Sequence, residues 1–327
     1  MDNKTILITG GTGSFGKKFT EIAFKKFKPK KLIIFSRDEF KQHEMAKVFS
    51  EHQYPIRYFL GDIRDKSRLY RAFDGVDYVI HAAALKQVPA LEYNPMEAVK
   101  TNIIGADNIV EAAIDRGVKK VVALSTDKAV NPINLYGATK LVAEKTFIAA
   151  NAYAGGKVKF SVVRYGNVVG SRGSVIPFFM NLKKQGVKEF PITDERMTRF
   201  WITLEQGVDL VLKALAKSVG GENFIPMIPS MKVVDLARAI DPNCKLKNIG
   251  IRPGEKIHET LVSEDEARNT KIFDGAYVIL PQFYEEKEIH QVYDSCKDAG
   301  QDFVYRSDKN PQWLTVDDLK KLVTQLP

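Results

Sequence analysis

Residues 5–16 read Thr-Ile-Leu-Ile-Thr-Gly-Gly-Thr-Gly-Ser-Phe-Gly, a short apolar run followed at once by a glycine-rich turn. Gly10, Gly13 and Gly16 therefore lie between a predicted strand and the opening of a predicted helix. One glycine allows the tight turn, the second lets the backbone approach a pyrophosphate, and the third lets the helix pack on the sheet. Free amides and the positive helix end then hold phosphates. The stretch predicts a dinucleotide-binding loop; the alternative is a purely structural turn.

The alternation of strand and helix continues through the first half of the chain. Short β-branched runs predict buried strands at 6–9, 32–35, 56–60, 78–83, 121–124 and 160–163. Longer amphipathic stretches predict helices at 15–28, 96–116 and 136–154. This order predicts an α/β fold with a Rossmann-type, doubly wound parallel sheet. Ligands of such sheets bind beyond the carboxyl ends of the strands.

After about residue 170 the alternation weakens. Segments 171–200 and 250–285 are rich in loops, whereas 203–216 and 231–240 have helical patterns. We predict a dinucleotide-binding domain at 1–170, to which some later segments contribute. A smaller, interleaved substrate-binding portion is predicted at 171–327.

The composition limits the classes of protein that this chain can be. The 327 residues carry 49 basic and 40 acidic side chains, and residues 1–50 alone hold 11 basic and 5 acidic ones. The positive excess therefore clusters around the glycine-rich loop, which favours small anionic ligands and predicts no nucleic-acid partner. Two cysteines, no metal-ligand spacing among the histidines and no long apolar run predict a cytoplasmic protein without metal or membrane segment.

The second strand ends in Ser36-Arg37-Asp38, about 20 residues after Gly16. An acidic residue at this point binds the ribose 2′-hydroxyl of NAD, whereas an arginine accommodates the 2′-phosphate of NADP. Arg37, with Lys41 one helical turn later, favours NADP; the alternative is that Asp38 binds NAD and Arg37 is a surface charge. Asp62, at the end of the third strand, is expected to meet the adenine edge.

The fifth strand ends in Ser125-Thr126-Asp127-Lys128, and the next helix opens with Tyr136-Gly-Ala-Thr-Lys140. The i, i+4 spacing places Tyr136 and Lys140 on one helix face. An ammonium beside a phenol lowers the phenol's pKa from its ordinary ~10, so we expect Tyr136 to act as a base near neutral pH.

With these motifs the chain resembles the extended short-chain dehydrogenase/reductases that modify nucleotide sugars. More closely, it is similar to the inverting UDP-N-acetylglucosamine 4,6-dehydratases that begin pseudaminic acid synthesis. The similar stretches are 9–16 (TGGTGSFG), 35–41 (FSRDEFK), 81–89 (HAAALKQVP), 124–140 (LSTDKAVNPINLYGATK), 164–177 (RYGNVVGSRGSVIP), 198–202 (TRFWI) and 249–259 (IGIRPGEKIHE). Asp127-Lys128 is the informative pair, because retaining nucleotide-sugar 4,6-dehydratases typically have Asp-Glu there.

The resemblance implies a sequence of proton and hydride transfers on a UDP-sugar. Tyr136 takes the 4-hydroxyl proton while NADP⁺ accepts hydride from C4, and the new ketone acidifies the C5 proton. Lys128 is the expected C5 base and Asp127 the acid that protonates the departing 6-hydroxyl. Hydride returns to C6, and reprotonation of C5 from the opposite face inverts that centre.

Lys128 has to be neutral to act as a base, although a lysine's ordinary pKa is ~10.4. We expect burial or nearby positive charge to neutralise it. The alternatives are that Lys128 only orients the substrate and that Asp127 acts alone or through a water molecule.

The residues expected at each part of the site follow from the motifs and from the resemblance. The catalytic residues are Thr126, Asp127, Lys128, Tyr136 and Lys140. The cofactor residues are Gly10, Thr12, Gly13, Ser14, Phe15, Gly16, Ser36, Arg37, Lys41, Asp62, Ile63, Ala82, Ala84, Lys86, Tyr136 and Lys140. By the resemblance, the substrate residues are Lys86, Thr126, Asn167, Val168, Arg172, Gly173, Ser174, Val175, Arg199, Arg252, Glu255, Tyr305, Ser307 and Asp308.

Other functions fit parts of the same pattern. A nucleotide-sugar 4-epimerase uses the Tyr-Lys pair and cofactor but needs no acid and base at C5 and C6, and a C5-retaining dehydratase shares the superfamily. A non-catalytic NADP-sensing protein has no need of the full catalytic set. The resemblance also implies UDP-N-acetylglucosamine as substrate and a homo-oligomer, up to a hexamer.

Overall fold

The computed structural model describes residues 1–169, 175–283 and 287–324. The strands in this part of the chain are β1 Thr5–Thr9, β2 Lys31–Ser36, β3 Ile56–Leu60, β4 Tyr78–His81, β5 Lys120–Thr126, β6 Lys159–Tyr165, β7 Glu189–Ile192, β8 Thr198–Phe200, β9 Asn223–Pro226, β10 Ser230–Lys232, β11 Lys245–Asn248, β12 Thr260–Val262, β13 Thr270–Phe273, β14 Ala276–Ile279, β15 Lys297–Asp298 and β16 Tyr305–Arg306.

The α-helices are α1 Ser14–Lys26, α2 Glu39–Ala46, α3 Lys66–Ala72, α4 Val88–Tyr93, α5 Pro95–Ala98, α6 Gly105–Asp115, α7 Leu135–Tyr153, α8 Val175–Lys184, α9 Leu204–Lys217, α10 Val233–Ile240, α11 Glu264–Ala267, α12 Lys287–Tyr293 and α13 Val316–Thr324. A π-helical turn, Val99–Ile104, joins α5 to α6, and a 3₁₀ turn, Asp127–Ala129, follows β5. Among the described residues, no helix has the length and apolarity needed to cross a bilayer.

One sheet dominates the fold, with the strand order β15-β13-β14-β9-β6-β5-β4-β1-β2-β3. The strands from β3 to β6 pair in parallel, in the order typical of dinucleotide-binding folds. The predicted doubly wound parallel sheet is therefore confirmed. β9 extends it in parallel from β6, whereas β14, β13 and β15 add an antiparallel edge that the sequence patterns did not predict.

Apolar cores cover both faces of the main sheet. One face buries Phe19 of α1 and Val211 of α9, and the other buries Ile109 of α6 and Phe147 of α7. Because helices cover both faces, the parallel strands are nearly continuous apolar runs. The carboxyl ends of the strands, where the loops leave the sheet, are the edge at which such folds bind ligands.

A third apolar core belongs to the later half of the chain. It joins α8, β7, α10 and α13 around side chains such as Phe179, Phe190 and Leu236. The division at about residue 170 falls near the first residue of this core, Val169. However, α9, β9 and β13 to β15 return to the main sheet, so the later half contributes to both parts.

A buried ionic cluster ties these parts together. Arg164 on β6 is 2% exposed and donates to the carboxylates of Glu144 on α7, at 2.6 and 3.0 Å, and Glu266 on α11, at 2.8 and 3.0 Å. It also donates to the Leu261 carbonyl of β12 at 2.9 Å. The two carboxylates raise the pKa of the guanidinium above its ordinary value. This cluster links α7 to two elements from the end of the chain.

Arg164→Met would leave the Glu144 carboxylate buried without its main partner. We expect the free energy of unfolding to fall by about 3–5 kcal/mol, the usual cost of removing one member of a buried ion pair. Chemical denaturation measures this loss. The control is Lys26→Ala, which removes an exposed pair with Asp209 and should change stability by no more than about 0.5 kcal/mol. Equal effects of the two substitutions would contradict the assigned role of the cluster.

Candidate active site

A cavity of about 640 Å³ opens at the carboxyl ends of β1 to β6. Its walls include most of the side chains predicted to bind a dinucleotide, together with four of the predicted catalytic ones. The predicted residues that line it are Gly10, Thr12, Gly13, Ser14, Phe15, Ser36, Arg37, Lys41, Asp62, Ile63, Ala82, Ala84, Lys86, Thr126, Lys128, Tyr136, Lys140, Asn167 and Val168. The fold thus brings together groups separated by more than 150 residues in the sequence.

The glycine-rich loop has the backbone shape that a pyrophosphate needs. Gly10 has a φ of +67°, and a Cβ there would lie 2.9 Å from the backbone nitrogen and Cα of Ala83. A Cβ on Gly16 would lie 2.2 Å from the carbonyl oxygen of Gly11, so only glycine lets α1 begin against the loop. Gly16 itself is buried behind the loop and outside the cavity wall. These residues fit a dinucleotide phosphate cradle.

At the adenosine end of the cavity, cationic and anionic side chains alternate. Arg37 Nη1 lies 3.5 Å from Asp62 Oδ2, which also accepts from Arg64 Nη2 at 2.7 Å. Asp38 caps α2, because its Oδ1 accepts from the Lys41 backbone amide at 2.9 Å, and its Oδ2 pairs with Lys41 Nζ. Both Arg37 and Asp38 line the cavity wall. The Asp38 carboxylate is bonded to its own helix, whereas the half-exposed Arg37 guanidinium has one long contact, with Asp62.

The floor between the two ends of the cavity is made of small residues after β4. Ala82 and Ala84 line it, and Asn102 holds this loop by bonding both the amide and the carbonyl of Leu85, each at 2.9 Å. His81 is buried, bonds Thr9 Oγ1 at 2.8 Å, and has its pKa lowered to about 3 by burial. His81 is therefore a neutral structural residue behind the floor.

Tyr136 and Lys140 both line the cavity, but their electrostatic relation differs from the prediction. Lys140 Nζ donates to the Leu124 carbonyl at 2.7 Å, and burial lowers its pKa to about 8. Burial raises the pKa of the Tyr136 phenol, opposed by the charge of Lys128 and by a hydrogen bond with Thr126. The expectation that Lys140 lowers the pKa of Tyr136 is wrong for this structure, because Lys140 is turned to the backbone of β5.

Asp127 and Lys128 form a buried pair at the end of β5. Lys128 Nζ donates to Asp127 Oδ1 at 3.0 Å and to Asn167 Oδ1 at 3.1 Å, and Thr126 Oγ1 donates to Asp127 Oδ1 at 3.0 Å. Asp127 is fully buried, which raises the pKa of its carboxyl group, and its Oδ2 has no partner among the described residues. Of the pair, only Lys128 reaches the cavity wall.

The predicted neutralisation of Lys128 by its surroundings is wrong. Nearby carboxylates, Asp127 and Glu259, raise its pKa above the ordinary value despite burial. Glu259 Oε1 lies 3.3 Å from Lys128 Nζ. In this structure Lys128 is therefore an ammonium held between acidic groups, and it needs a proton transfer before it can act as a base.

Gly137 is a site residue that the motif analysis passed over. A Cβ at this position would lie 2.1 Å from the carbonyl oxygen of Lys128. The absence of a side chain lets the first turn of α7 pack directly on the 3₁₀ turn that carries Asp127 and Lys128. The glycine directly after Tyr136 was the available signal, although spacing alone does not show which backbone it approaches.

The predicted substrate residues divide into three groups. Lys86, Asn167 and Val168 line the cavity. Arg172, Gly173 and Ser174 lie outside the described residues, and Val175 opens α8 beside the third core. Arg252 is exposed in a turn whose Gly254 carbonyl accepts from Asn134 Nδ2, the residue that caps α7, so it lies near this helix but outside the cavity wall.

Arg199 is predicted to lie near the nucleotide; it does not line the described cavity, and its contact with a nucleotide stays a prediction. It is 5% exposed, donates to the carbonyls of Thr198 at 2.7 Å and Ile257 at 3.0 Å, and pairs with Glu255 at 3.6 Å and Glu259 at 3.8 Å. Its donors are therefore directed to protein groups rather than to a nucleotide, and Glu255 is likewise held by Arg199.

The C-terminal residues predicted to bind substrate make contacts that hold the end of the chain in place. The Tyr305 hydroxyl bonds both the amide and the carbonyl of Ile228 at 2.8 Å, and Ser307 is fully buried. Asp308 pairs with Arg306 at 2.5 and 2.8 Å. None of the three lines the described cavity, and their hydrogen bonds fix the end of the chain, so their contact with substrate stays a prediction.

Comparison with known proteins identifies a family and several relatives to which this chain is similar. The model of the family described as "Polysaccharide biosynthesis protein" matches residues 6–281. A "UDP-N-acetylglucosamine 4,6-dehydratase (inverting)" of Campylobacter jejuni is 54% identical, covering 99% of this chain and 98% of that protein. A "UDP-glucose 4-epimerase" of Rickettsia akari is 45% identical, covering 85% of this chain and 83% of that protein.

Solved structures agree with the fold. The X-ray structure of Pen from Bacillus thuringiensis has a TM-score of 0.89 and 39% identity, covering 99% of this chain and 98% of that one. A dTDP-glucose 4,6-dehydratase from Streptomyces venezuelae with NAD bound has a TM-score of 0.70 and 20% identity, covering 88% of this chain and 95% of that one, which supports the fold alone. The chain therefore belongs to the polysaccharide biosynthesis protein family, with inverting 4,6-dehydratases among its relatives.

Proposed function

We propose that the protein is an NADP-dependent UDP-N-acetylglucosamine 4,6-dehydratase that inverts C5. Its product would be UDP-2-acetamido-2,6-dideoxy-β-L-arabino-hex-4-ulose. The observation that carries the proposal is the Asp127–Lys128 pair, which ends β5 beside Tyr136 at the wall of the dinucleotide cavity. An acid and a base at this point match elimination of water after oxidation. The near full-length identity to the Campylobacter jejuni enzyme supports the same reaction.

The cofactor part of the proposal is a nicotinamide dinucleotide, and specifically NADP. Gly10, Gly13 and Gly16 shape the loop for its pyrophosphate, and the loop lies between β1 and the N-terminus of α1, where backbone amides can hold phosphates. Arg37 supports the 2′-phosphate, because its half-exposed guanidinium is at the wall while the Asp38 carboxylate caps α2. The bound nicotinamide supplies a hydride acceptor for C4 and a hydride donor for C6.

In this proposal Tyr136 hydrogen-bonds the sugar 4-hydroxyl and accepts its proton. Its phenol needs to be deprotonated first, and the charge of Lys128 and the bond to Thr126 favour the phenolate against the opposing effect of burial. Lys140, with its ammonium on the Leu124 carbonyl at the same wall, adds positive charge to this part of the cavity.

The Asp127–Lys128 hydrogen bond provides both an acid and a base from one proton. Transfer of a proton from Lys128 Nζ to Asp127 Oδ1 converts the ion pair into a neutral amine and a carboxylic acid. Burial of Asp127 favours this neutral form, because it penalises separated charges. The amine then takes the C5 proton. Because Asp127 lies off the cavity wall, its acid proton would pass through the hydroxyl of Thr126, which bonds Asp127 Oδ1 and lines the cavity, to the 6-hydroxyl, which departs as water and leaves the ion pair restored.

Assembly and location complete the proposal. Tyr93 and Met96, near the ends of α4 and α5, are exposed apolar side chains of the kind that homo-oligomers bury. Both cysteines are free, as expected of a reducing compartment such as the cytoplasm. We therefore propose a cytoplasmic homo-oligomer that acts on a UDP-sugar.

The reaction itself is tested by incubating the purified protein with UDP-N-acetylglucosamine and NADP⁺ and following the product by proton NMR. We expect a C6 methyl signal in place of the C6 hydroxymethyl protons, together with the inverted C5 configuration. A 4-epimer without loss of water would instead support the epimerase activity named for the Rickettsia relatives. A 4-keto-6-deoxy product with retained C5 would overturn inversion alone.

Tyr136→Phe removes the proposed base for the 4-hydroxyl. Turnover is expected to fall by about 10²–10⁴-fold, the usual contribution of a general base, while binding of the dinucleotide persists. The control is Tyr58→Phe, which loses a phenol bonded to the Phe49 carbonyl away from the cavity. Steady-state rates and NADP⁺ titration measure both effects, and a wild-type rate in Tyr136→Phe would refute the assignment.

Arg37→Ala removes the proposed 2′-phosphate contact. The affinity for NADP⁺ should fall about tenfold or more, since one charge-assisted hydrogen bond is lost, while the affinity for NAD⁺ should change little. Isothermal titration with each dinucleotide measures this. Arg57→Ala, which removes an exposed arginine paired with Glu51, is the control. Equal losses for both dinucleotides, or tighter wild-type binding of NAD⁺, would assign the site to NAD.

A further inference from the structure

Glu259 is a buried carboxylate to which the mechanism above gives no role. It directly precedes β12, is 2% exposed, and lies outside the cavity wall. Its Oε1 is 3.3 Å from Lys128 Nζ and 3.8 Å from Arg199 Nε. Its Oε2 has no hydrogen-bond partner among the described residues. A buried carboxylate in this setting destabilises the fold unless oppositely charged neighbours compensate for its desolvation.

The backbone of Glu259 is fixed from the end of the chain. Its amide donates to Ser307 Oγ at 3.0 Å, and its carbonyl accepts from the Ser307 amide at 2.8 Å. The Ser307 hydroxyl also contacts Thr198 Oγ1 at 2.6 Å, on the strand that carries Arg199. Ser307 therefore holds Glu259 and Arg199 in one arrangement against Lys128.

Lys128 thus has two carboxylate neighbours that act differently. Asp127 exchanges a proton with it in the proposed elimination, whereas Glu259 adds negative charge without contacting the cavity. Arg199, which also pairs with Glu259, carries a positive charge that opposes the effect of the Glu259 carboxylate. The position of the proton between Asp127 and Lys128 consequently depends on the balance of these more distant charges.

We propose that Glu259 is a positioning residue that, with Arg199, sets how Asp127 and Lys128 share their proton before water is eliminated. This inference rests on the proposed dehydratase function. It adds that two charged side chains outside the cavity wall adjust the protonation of the reacting pair. The negative charge of Glu259 keeps Lys128 as an ammonium in the resting enzyme, and the positive charge of Arg199 limits that effect so that transfer to Asp127 stays accessible.

Charged and titratable groups from several elements surround Lys128, and each contributes to this balance. They are Asp127 on the same 3₁₀ turn, Tyr136 on α7, Lys86 after β4, Arg199 on β8, and Lys256 and Glu259 before β12. Glu259 and Arg199 combine near-complete burial with a position outside the cavity wall, as Asp127 does, but unlike Asp127 they exchange no proton in the proposed elimination. Substitutions there therefore change the charge without removing a reacting group or a group that lines the cavity.

The test is the pH dependence of kcat for the wild type and Glu259→Gln, with UDP-N-acetylglucosamine and NADP⁺. Glutamine preserves the shape and an acceptor but removes the negative charge, so the pKa values of both Asp127 and Lys128 should fall. Both limbs of the profile, and with them the optimum, should move to lower pH by about one unit. KM should stay within about twofold, because Glu259 does not line the cavity.

Arg199→Gln gives the opposite sign and guards against a folding defect in Glu259→Gln. Loss of this positive charge should move the optimum to higher pH. Glu259→Asp, which retains the charge, should restore the wild-type optimum. The matched control is Glu222→Gln, another fully buried carboxylate, which accepts from the Val219 and Gly220 amides far along the chain from the pair.

The outcomes separate this inference from the function on which it rests. Wild-type protein that forms no 4-keto-6-deoxy product contradicts the dehydratase proposal. An active wild type whose optimum is unmoved in either folded variant, or moved equally by Glu222→Gln, overturns the role of Glu259. Reduced stability or a raised KM with an unchanged pH profile would show that Glu259 is structural only.

Discussion

The site depends on a cluster of oppositely charged side chains that is buried away from water beside the end of β5. Asp127, Glu259 and Arg199 are each at least 95% buried, and Lys128 lies among them. Such groups destabilise a fold unless their partners are held in place. They come from the 3₁₀ turn after β5, from β8 and from the segment before β12, so these elements have to pack in one arrangement. The C-terminal strand β16 supports that arrangement because Ser307, directly after it, fixes the backbone of Glu259.

Close backbone approach is the second requirement, and two glycines meet it. Gly10 brings the phosphate loop onto Ala83 after β4, and Gly137 brings α7 onto the carbonyl of Lys128. The first approach shapes the cofactor end of the cavity and the second shapes its reacting end. In both places a methyl group would push the two elements apart. The shape of the cavity therefore depends on having no side chain at these two positions.

The sequence predicted the parallel strands well because each is a short apolar run, and all but the edge strand β3 are largely buried on both faces. It did not predict β13 to β15, since two-residue and four-residue strands with partly exposed side chains lack a clear alternation.

The local part of the site was predictable from the sequence positions of Tyr136, Asp127 and Lys128. The i, i+4 spacing of Tyr136 and Lys140 gave a shared face but not their contacts, because the Leu124 carbonyl competes for the ammonium. Glu259 was beyond reach, since its partner Lys128 lies 131 positions earlier in the chain.

The same charges bear on which chemistry the fold performs. A 4-epimerase needs a base for the 4-hydroxyl, the role that we propose for Tyr136, and gains nothing from a desolvated carboxyl beside an ammonium. Such a pair costs stability compared with apolar residues of similar volume. In an elimination, however, one proton must leave C5 while another reaches the 6-hydroxyl, and a hydrogen-bonded acid and amine perform both transfers without changing the net charge of the site. The buried Asp127–Lys128 pair, balanced by Glu259 and Arg199, is therefore best explained as machinery for removing water.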